Sequence, residues 1–457
     1  MTERGQLSGQ GRPASSEAAV PAARRRAADP GARPSLAAWL GTATLVLSIF
    51  SGHFGPVPLN RVALLAFLVA AVPMLRAGTY AIGAVHAVLG LQVVWVLGSA
   101  AFAGTLAQPT GFFALLDEVL VPLFMVVLAP VAFAGRSDRL LLLRSLAVVG
   151  LYLGIMSTFQ ALGEPRLLFP GYLADGLVQG EINRAGGPFL QVGGNGSAMA
   201  MCIPLALLLF QVSHGRWRVV SALSVAACSW GCLVTLTRSV WLAALAAFLV
   251  YFLLDARLRR WTPAFLLGTA ASLAAALAWV PGLYEATFER LNTGRSIDDR
   301  TTTNAAAFSM LWEHPVAGVG WARFLSVVDD YVRQQDLVPL TNTHIIAHNV
   351  VLSRAAELGI VGAVLLILAI LLGPVRASVV APAAREAGWR TALAAMFASW
   401  LCVAMLTPMG YPFSNYLLWV VTGLVLQSWR PHGPGSGAEA SGPLSASAPE
   451  SGRARRS

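Results

Sequence analysis

The chain has 457 residues, 56% of them hydrophobic and only 12% charged, with a mean hydropathy of +0.64. A soluble domain carries about 25% charged residues, so a purely soluble protein is excluded and a polytopic membrane protein is expected. The formal net charge of +10 rests on Arg alone among the strong bases. These arginines sit in short loops between apolar runs rather than on one soluble face, which excludes a nucleic-acid binder.

Residues 1–35 are rich in Ala, Pro, Gly, Ser and Arg and read as a disordered tail. No signal peptide is read there, because the first apolar run begins near Leu36 and many more follow. A spanning helix needs about 20 apolar residues. By that measure about twelve spans are expected, at 36–54, 57–75, 80–103, 111–134, 140–162, 195–213, 218–236, 239–255, 262–281, 348–372, 389–407 and 413–429. The expected fold class is an all-α polytopic membrane protein of about twelve transmembrane helices, with a large, partly helical loop at 282–347. Residues 430–457 read as a second disordered tail, leaving 36–429 as the membrane domain. The cysteines Cys202, Cys228, Cys232 and Cys402 all fall in apolar runs. Cys228 and Cys232 share a helix face, but with no His or carboxylate beside them they read as small buried hydrophobes.

Orientation follows from the arginines. With Arg24, Arg25 and Arg26 in the cytoplasm and the spans alternating, Arg76, Arg136, Arg139, Arg144, Arg216, Arg218, Arg257, Arg259, Arg260, Arg376, Arg385 and Arg390 also fall inside. Both termini are then cytoplasmic, and the 163–194 and 282–347 loops are extracytoplasmic. The remaining arginines, among them Arg61, Arg166, Arg184, Arg238, Arg290, Arg295, Arg300, Arg323, Arg333 and Arg354, fall on the outer side or near outer helix ends. Arg on the translocated side implies either an ion pair or an anionic ligand.

Arg238 lies in Thr235-Leu236-Thr237-Arg238-Ser239, a hinge between two apolar segments with almost no loop. Its guanidinium either snorkels to the outer interface or clamps phosphate oxygens. The 163–194 loop ends in Arg184-Ala185-Gly186-Gly187-Pro188-Phe189 and then Gly193-Gly194-Asn195, with Asn195 a candidate N-cap. No Walker-type Lys follows, so no ATP site is read.

His344 and His348 are four apart, but the Glu of an HExxH hydrolase is absent, and no metal site is read. His348 beside an interfacial arginine cluster suits a base or positioning donor instead. Arg354 and Glu357, three apart on a helix, most simply neutralise each other, with a site role for Glu357 left open. Asp298-Asp299 and Asp329-Asp330 lack Asp-x-Asp spacing and read as solvated acids, with Arg295 and Arg300 as pairing partners.

Three stretches in order resemble the O-antigen ligase and polymerase superfamily of bacterial membrane glycosyltransferases. Thr235-Leu236-Thr237-Arg238-Ser239 is similar to that family's Thr-x-Ser-Arg turn, with Thr237 in place of Ser. Arg300, followed by Trp312-Glu313-His314-Pro315-Val316-Ala317-Gly318-Val319-Gly320-Trp321, resembles its Arg and glycine-rich segment. His348-Asn349-Val350-Val351-Leu352 followed by Glu357-Leu358-Gly359-Ile360-Val361-Gly362 resembles its His-Asn and Glu-x-Gly stretch. The 184–195 segment is similar to its Gly-Phe…Asn element, and the family-like core covers about 184–372.

The resemblance implies transfer of a glycan from an undecaprenyl-diphosphate carrier to a hydroxyl acceptor (saccharide, lipid or protein) at the outer face of the cytoplasmic membrane. It implies Arg238, Arg300 and Arg184 on the diphosphate, His348 and Arg300 in catalysis, and His344, Asn349 and Glu357 as supporting residues. No metal and no cofactor are implied. The acceptor is left unidentified. A secondary transporter of an anionic solute is the competing class; the absence of an internal repeat relating the two halves speaks against it.

Overall fold

The computed structural model describes residues 33–50, 58–174, 184–279, 282–292, 295–332, 346–380, 387–426 and 429–431. Nearly all of both expected tails, and His344, lie outside them. In chain order the helices are α1 Leu36–Phe50, α2 Leu59–Arg76, α3 Ala84–Phe102, α4 Pro109–Ala132, α5 Arg136–Ala161, α6 Val192–Val212, α7 Arg216–Val234, α8 Arg238–Leu254 and α9 Arg259–Trp279. There follow α10 Leu283–Asn292, α11 Arg295–Glu313, α12 Phe324–Tyr331, α13 Val350–Val380, α14 Ala387–Ala404 and α15 Pro412–Leu426. Each apolar run read from the sequence coincides with one of these helices. Eight of them, α2 to α7, α9 and α13, are long and apolar enough to cross a membrane, while α1, α8 and α15 are apolar but shorter. The chain is an all-α polytopic membrane protein. One exception to the helices is a two-stranded antiparallel pair, β1 Gly78–Tyr80 with β2 Trp429–Pro431, which ties the end of the bundle to the α2–α3 turn.

The bundle is organised around α6, whose residues from Val192 to Ala206 are buried without a break. α5, α7, α8 and α14 pack around it. The approach of α5 to α7 is close because their contact carries small residues: a Cβ on Gly154 would lie 2.3 Å from the Ala227 carbonyl oxygen. Small residues at helix crossings replace the hydrophobic drive that lipid tails cannot supply. α9 is the opposite case, with Leu266, Leu267, Leu273 and Trp279 all exposed, as befits a helix facing lipid. From it the chain passes into α10, α11 and α12, the helical part of the long polar loop. Ala306, Ala307 and Met310 of α11 form a small core with Phe324 and Val328 of α12, and with Ala347 and Ala356 at the start of α13.

Two ion pairs fix one end of the bundle. Within α4 the residues Leu116–Leu120 form a π turn, an insertion of the kind that re-aims helix side chains. The turn presents Asp117 and Glu118 in succession. Asp117 takes both terminal nitrogens of Arg61 from α2 and the hydroxyl of Tyr416 from α15. Glu118 pairs with Arg354 from α13.

Candidate active site

Arg238 is the first residue of α8, and the turn that delivers it is strained. Leu236 sits at φ +50°, a left-handed conformation costly for a branched residue. The turn is held by Thr235 Oγ1 donating to Cys232 O at 2.7 Å and by Thr237 Oγ1 donating to Thr235 O at 3.0 Å. Thr237 then accepts a hydrogen bond from Arg184 Nη2 at 3.1 Å. Arg184 is thus tied to the residue before Arg238, across the stretch of sequence that separates them.

The segment carrying Arg184 is locked from below. Asn195 is not an N-cap: α6 starts at Val192, with Gln191 as its cap, and Asn195 lies inside the first turn. Its Nδ2 donates to Ser157 Oγ and to Ala185 O, both at 2.9 Å, while Gly187 N–H reaches Gln160 Oε1 at 2.8 Å. The helix extends past Asn195 because that side chain is spent holding the Arg184 strand rather than closing its own helix end.

Arg300 comes from α11. Its Nε is buried without a hydrogen-bond partner. Burial holds its guanidinium below the usual Arg range, and the nearby charge of Arg238 lowers it further. Two guanidiniums that repel each other in a half-buried setting are a concentration of positive potential. One turn along α11, Thr303 and Asn304 face the start of α13. Thr303 Oγ1 lies 3.4 Å from His348 Nδ1 and donates to Arg300 O at 3.3 Å, and Asn304 Oδ1 accepts the His348 N–H at 3.1 Å. A hydroxyl has one proton. With that proton on Arg300 O, Thr303 accepts from Nδ1–H, which places the basic lone pair of His348 on Nε2.

Asn349 caps α13, its Oδ1 accepting the Leu352 N–H at 3.0 Å. The 314–321 loop docks on the same helix by backbone. Val319 N–H meets Ala356 O at 2.9 Å, Gly320 N–H meets Glu357 O at 3.0 Å, and Ile360 N–H meets Pro315 O at 2.8 Å. Glycines make this approach possible: a Cβ on Gly318 would stand 2.3 Å from the Glu357 carbonyl carbon, and one on Gly359 2.1 Å from Val316 O. The order of glycines that carried the family resemblance is therefore a docking seam. Glu357 is buried, accepting the Phe324 N–H at 3.3 Å and facing Arg354 Nη1 at 3.4 Å. Trp321 closes the seam, fully buried, donating Nε1–H to Gly111 O at 3.0 Å and lying beneath the Arg354 guanidinium at 4.7 Å.

Residues 223–367 match the family described as O-antigen ligase. That stretch is similar to O-antigen ligases and takes in Arg238, Arg300, His348, Asn349 and Glu357, which bears out the resemblance to the O-antigen ligase and polymerase superfamily. Arg184 lies outside the matched range, although it is bonded to it through Thr237. No curated protein matches the chain.

The arginines expected on the outer side divide into two classes. Arg61 and Arg354 are consumed by Asp117, Glu118 and Glu357, whereas Arg300 keeps a buried donor without a partner. Arg323 is exposed at the start of α12. The side chains of Arg290 and Arg295, the pair Asp298-Asp299, and Arg333 and His344 lie outside what the structure describes. Among the described residues no three His, Cys, Asp or Glu side chains cluster as metal ligands. Sequence reading missed Thr303 and Asn304, signalled only by their position one turn after Arg300. It also missed the α14–α15 turn, where Thr407 Oγ1 lies 3.1 Å from Ser239 Oγ and where the Tyr411 ring packs so closely on Gly194 that a Cβ there would lie 2.8 Å from it.

Proposed function

We propose that the protein transfers a glycan from an undecaprenyl-diphosphate carrier to a hydroxyl on a saccharide, lipid or protein acceptor, in cell-surface polysaccharide ligation or polymerisation. In this reading the twelve apolar helices all span, both termini are cytoplasmic, and α10 to α12 lie on the outer face of the cytoplasmic membrane. The observation that carries it is the partnerless buried Nε of Arg300 beside Arg238, one helical turn from the residues that hold His348.

The acceptor oxygen attacks the anomeric carbon as the bond from that carbon to the phosphate oxygen breaks, and the leaving diphosphate keeps the electron pair. Arg300, Arg238 and Arg184 meet the charge that develops there, helped by the amide groups at the start of α8. His348 Nε2 takes the acceptor proton as the new bond forms. The lipid diphosphate is already activated, so this scheme calls on no metal and no cofactor. Asn349 and Glu357 support it by fixing the start of α13, and His344, four residues before His348 in sequence, is assigned a supporting role.

Full-length protein reconstituted with an undecaprenyl-diphosphate oligosaccharide and candidate acceptors tests this directly. Release of undecaprenyl diphosphate should fall by about 10²-fold or more in Arg300→Ala and His348→Ala. Release unaffected by both substitutions sinks the site assignment. A fluorescent-protein fusion after Ser457 should fold and fluoresce, as expected of a cytoplasmic terminus; a dark fusion with active alkaline phosphatase at the same place reverses the orientation.

A further inference from the structure

A cavity of about 170 Å³ is lined by Ile346, Ala347 and Val350, the residues that flank His348, and by the ionic group of Glu118, Arg354 and Glu357. Its other wall is the α14–α15 turn at Pro408, Met409 and Gly410. That turn also borders the arginine site, through Thr407 against Ser239 and Tyr411 against Gly194. The cavity and the arginine cluster therefore share two walls, the His348 segment and the 407–411 turn.

Their chemistry is opposite. Arg300 lies beside Arg238 and keeps a buried Nε without a partner, a positive surrounding. Around the cavity Glu118 and Glu357 share the Arg354 guanidinium and Glu357 also takes the Phe324 N–H, which leaves Glu118 Oε1, beside Gly410, as the spare anionic acceptor, and the hydroxyls of Thr110 and Ser353 add neutral partners. Such a lining accepts hydrogen bonds from a polyol and turns an anion away. At ~30 Å³ per water, the volume equals that of about six waters, the bulk of a single pyranose ring. The ionic group is rigid, because Arg354 is gripped from α4 and α13 at once and lies over Trp321.

We propose that this cavity seats a neutral, hydroxyl-bearing sugar ring of the acceptor, beside the residue that activates the attacking hydroxyl. The proposal rests on the glycosyltransferase reading and adds a second subsite to it, selected by charge: the diphosphate goes to the arginines and the uncharged ring to the carboxylates. Gly410 offers a clean way to close it. A Cβ there meets Glu118 Oε1 at 3.5 Å, an ordinary contact, so a side chain enters the cavity without a backbone clash.

Saturation-transfer NMR on the full-length protein in nanodiscs supplies the test, with methyl β-D-glucopyranoside and methyl β-D-galactopyranoside as neutral probes and methyl β-D-glucuronide as the anionic one. Binding of undecaprenyl diphosphate is measured on the same samples. Wild type should give signals from at least one neutral glycoside and weaker signals from the glucuronide. Gly410→Leu, and independently Ser353→Leu from the opposite wall, should lower neutral-probe affinity about tenfold or more, with undecaprenyl diphosphate binding unchanged. No neutral signal in wild type, a signal that survives both fillings, or a stronger glucuronide signal overturns the proposal. Neutral glycosides binding as stated while undecaprenyl diphosphate fails to bind wild type overturns the donor reading instead and leaves the sugar cavity standing.

Discussion

Gly359→Ala is the sharpest test of the seam between the 314–321 loop and α13. Gly359 sits at φ +69°, ψ −169° in the midst of a helix. That region is essentially closed to residues with a Cβ, at a cost of about 1–3 kcal/mol. The added methyl would also stand 2.1 Å from Val316 O and 2.2 Å from Val316 C, backbone atoms that cannot swing aside. Overpacking of this kind costs about 1–3 kcal/mol more. The two sum to roughly 2–6 kcal/mol, and the cheapest relief is to undock the loop rather than unfold the bundle, since opening proceeds by local units. Even about 2 kcal/mol raises the open population some 30-fold. Hydrogen exchange with mass spectrometry reads this at the amides of Val319, Gly320 and Ile360, which bond to Ala356 O, Glu357 O and Pro315 O across the seam. Their exchange should accelerate by about 30-fold or more while amides of the α6 core hold their protection. Wild-type exchange at these three amides in the Ala variant would refute the seam.

Three further outcomes are expected. Ala322→Gly, at φ +55°, should be neutral or stabilising by up to about 1 kcal/mol in thermal unfolding, because it relieves a left-handed alanine; a clear loss of stability would count against that conformation. Asp117→Asn should lower stability by about 3–5 kcal/mol, because it strands a poorly exposed Arg61. The double change Arg61→Met with Asp117→Leu should cost less than the sum of its parts, and strict additivity in the cycle would mean that the two residues are not coupled. Thr303→Val should lower the turnover number about fivefold with the donor KM unchanged, the effect of one lost hydrogen bond to His348; a change confined to KM would place Thr303 in donor binding instead.

The helices were legible because each apolar run is long and closely bounded by Arg, Gly or Pro, and lipid admits few other solutions. The Arg238 hinge was legible as a position, since a charged residue between two apolar segments has nowhere to hide. What stayed hidden was pairing over distance. Nothing in sequence spacing says that Arg61 meets Asp117 and Tyr416, so Arg61 looked no different from Arg300; the Arg354–Glu357 pair was legible from its spacing, and only the share that Glu118 takes from α4 was not. Asn195 misled for a related reason: a residue that caps well in isolation is here spent on Ser157 and Ala185. The α14–α15 turn carried no charge, and contacts built from Thr407, Ser239, Tyr411 and a glycine leave no trace in composition. The β1–β2 pair joins residues from opposite ends of the chain, which local pattern cannot foresee.

The π turn of α4 has a consequence for how this gene can tolerate change. It holds one residue more than a regular helix would need there, and the halves on either side have separate duties. Pro109–Leu115 presents Gly111 O to Trp321, whereas Val121–Ala132 fills the bundle core. Loss of one codon in 116–120 would let a regular helix form with both halves still facing as they do, because the wide turn already absorbs the surplus residue. What such a deletion removes is the bulge itself, and with it the placement of Asp117 and Glu118 that serves Arg61 and Arg354 together. The faces on either side survive the loss of a residue there; the two ion pairs at the bulge do not.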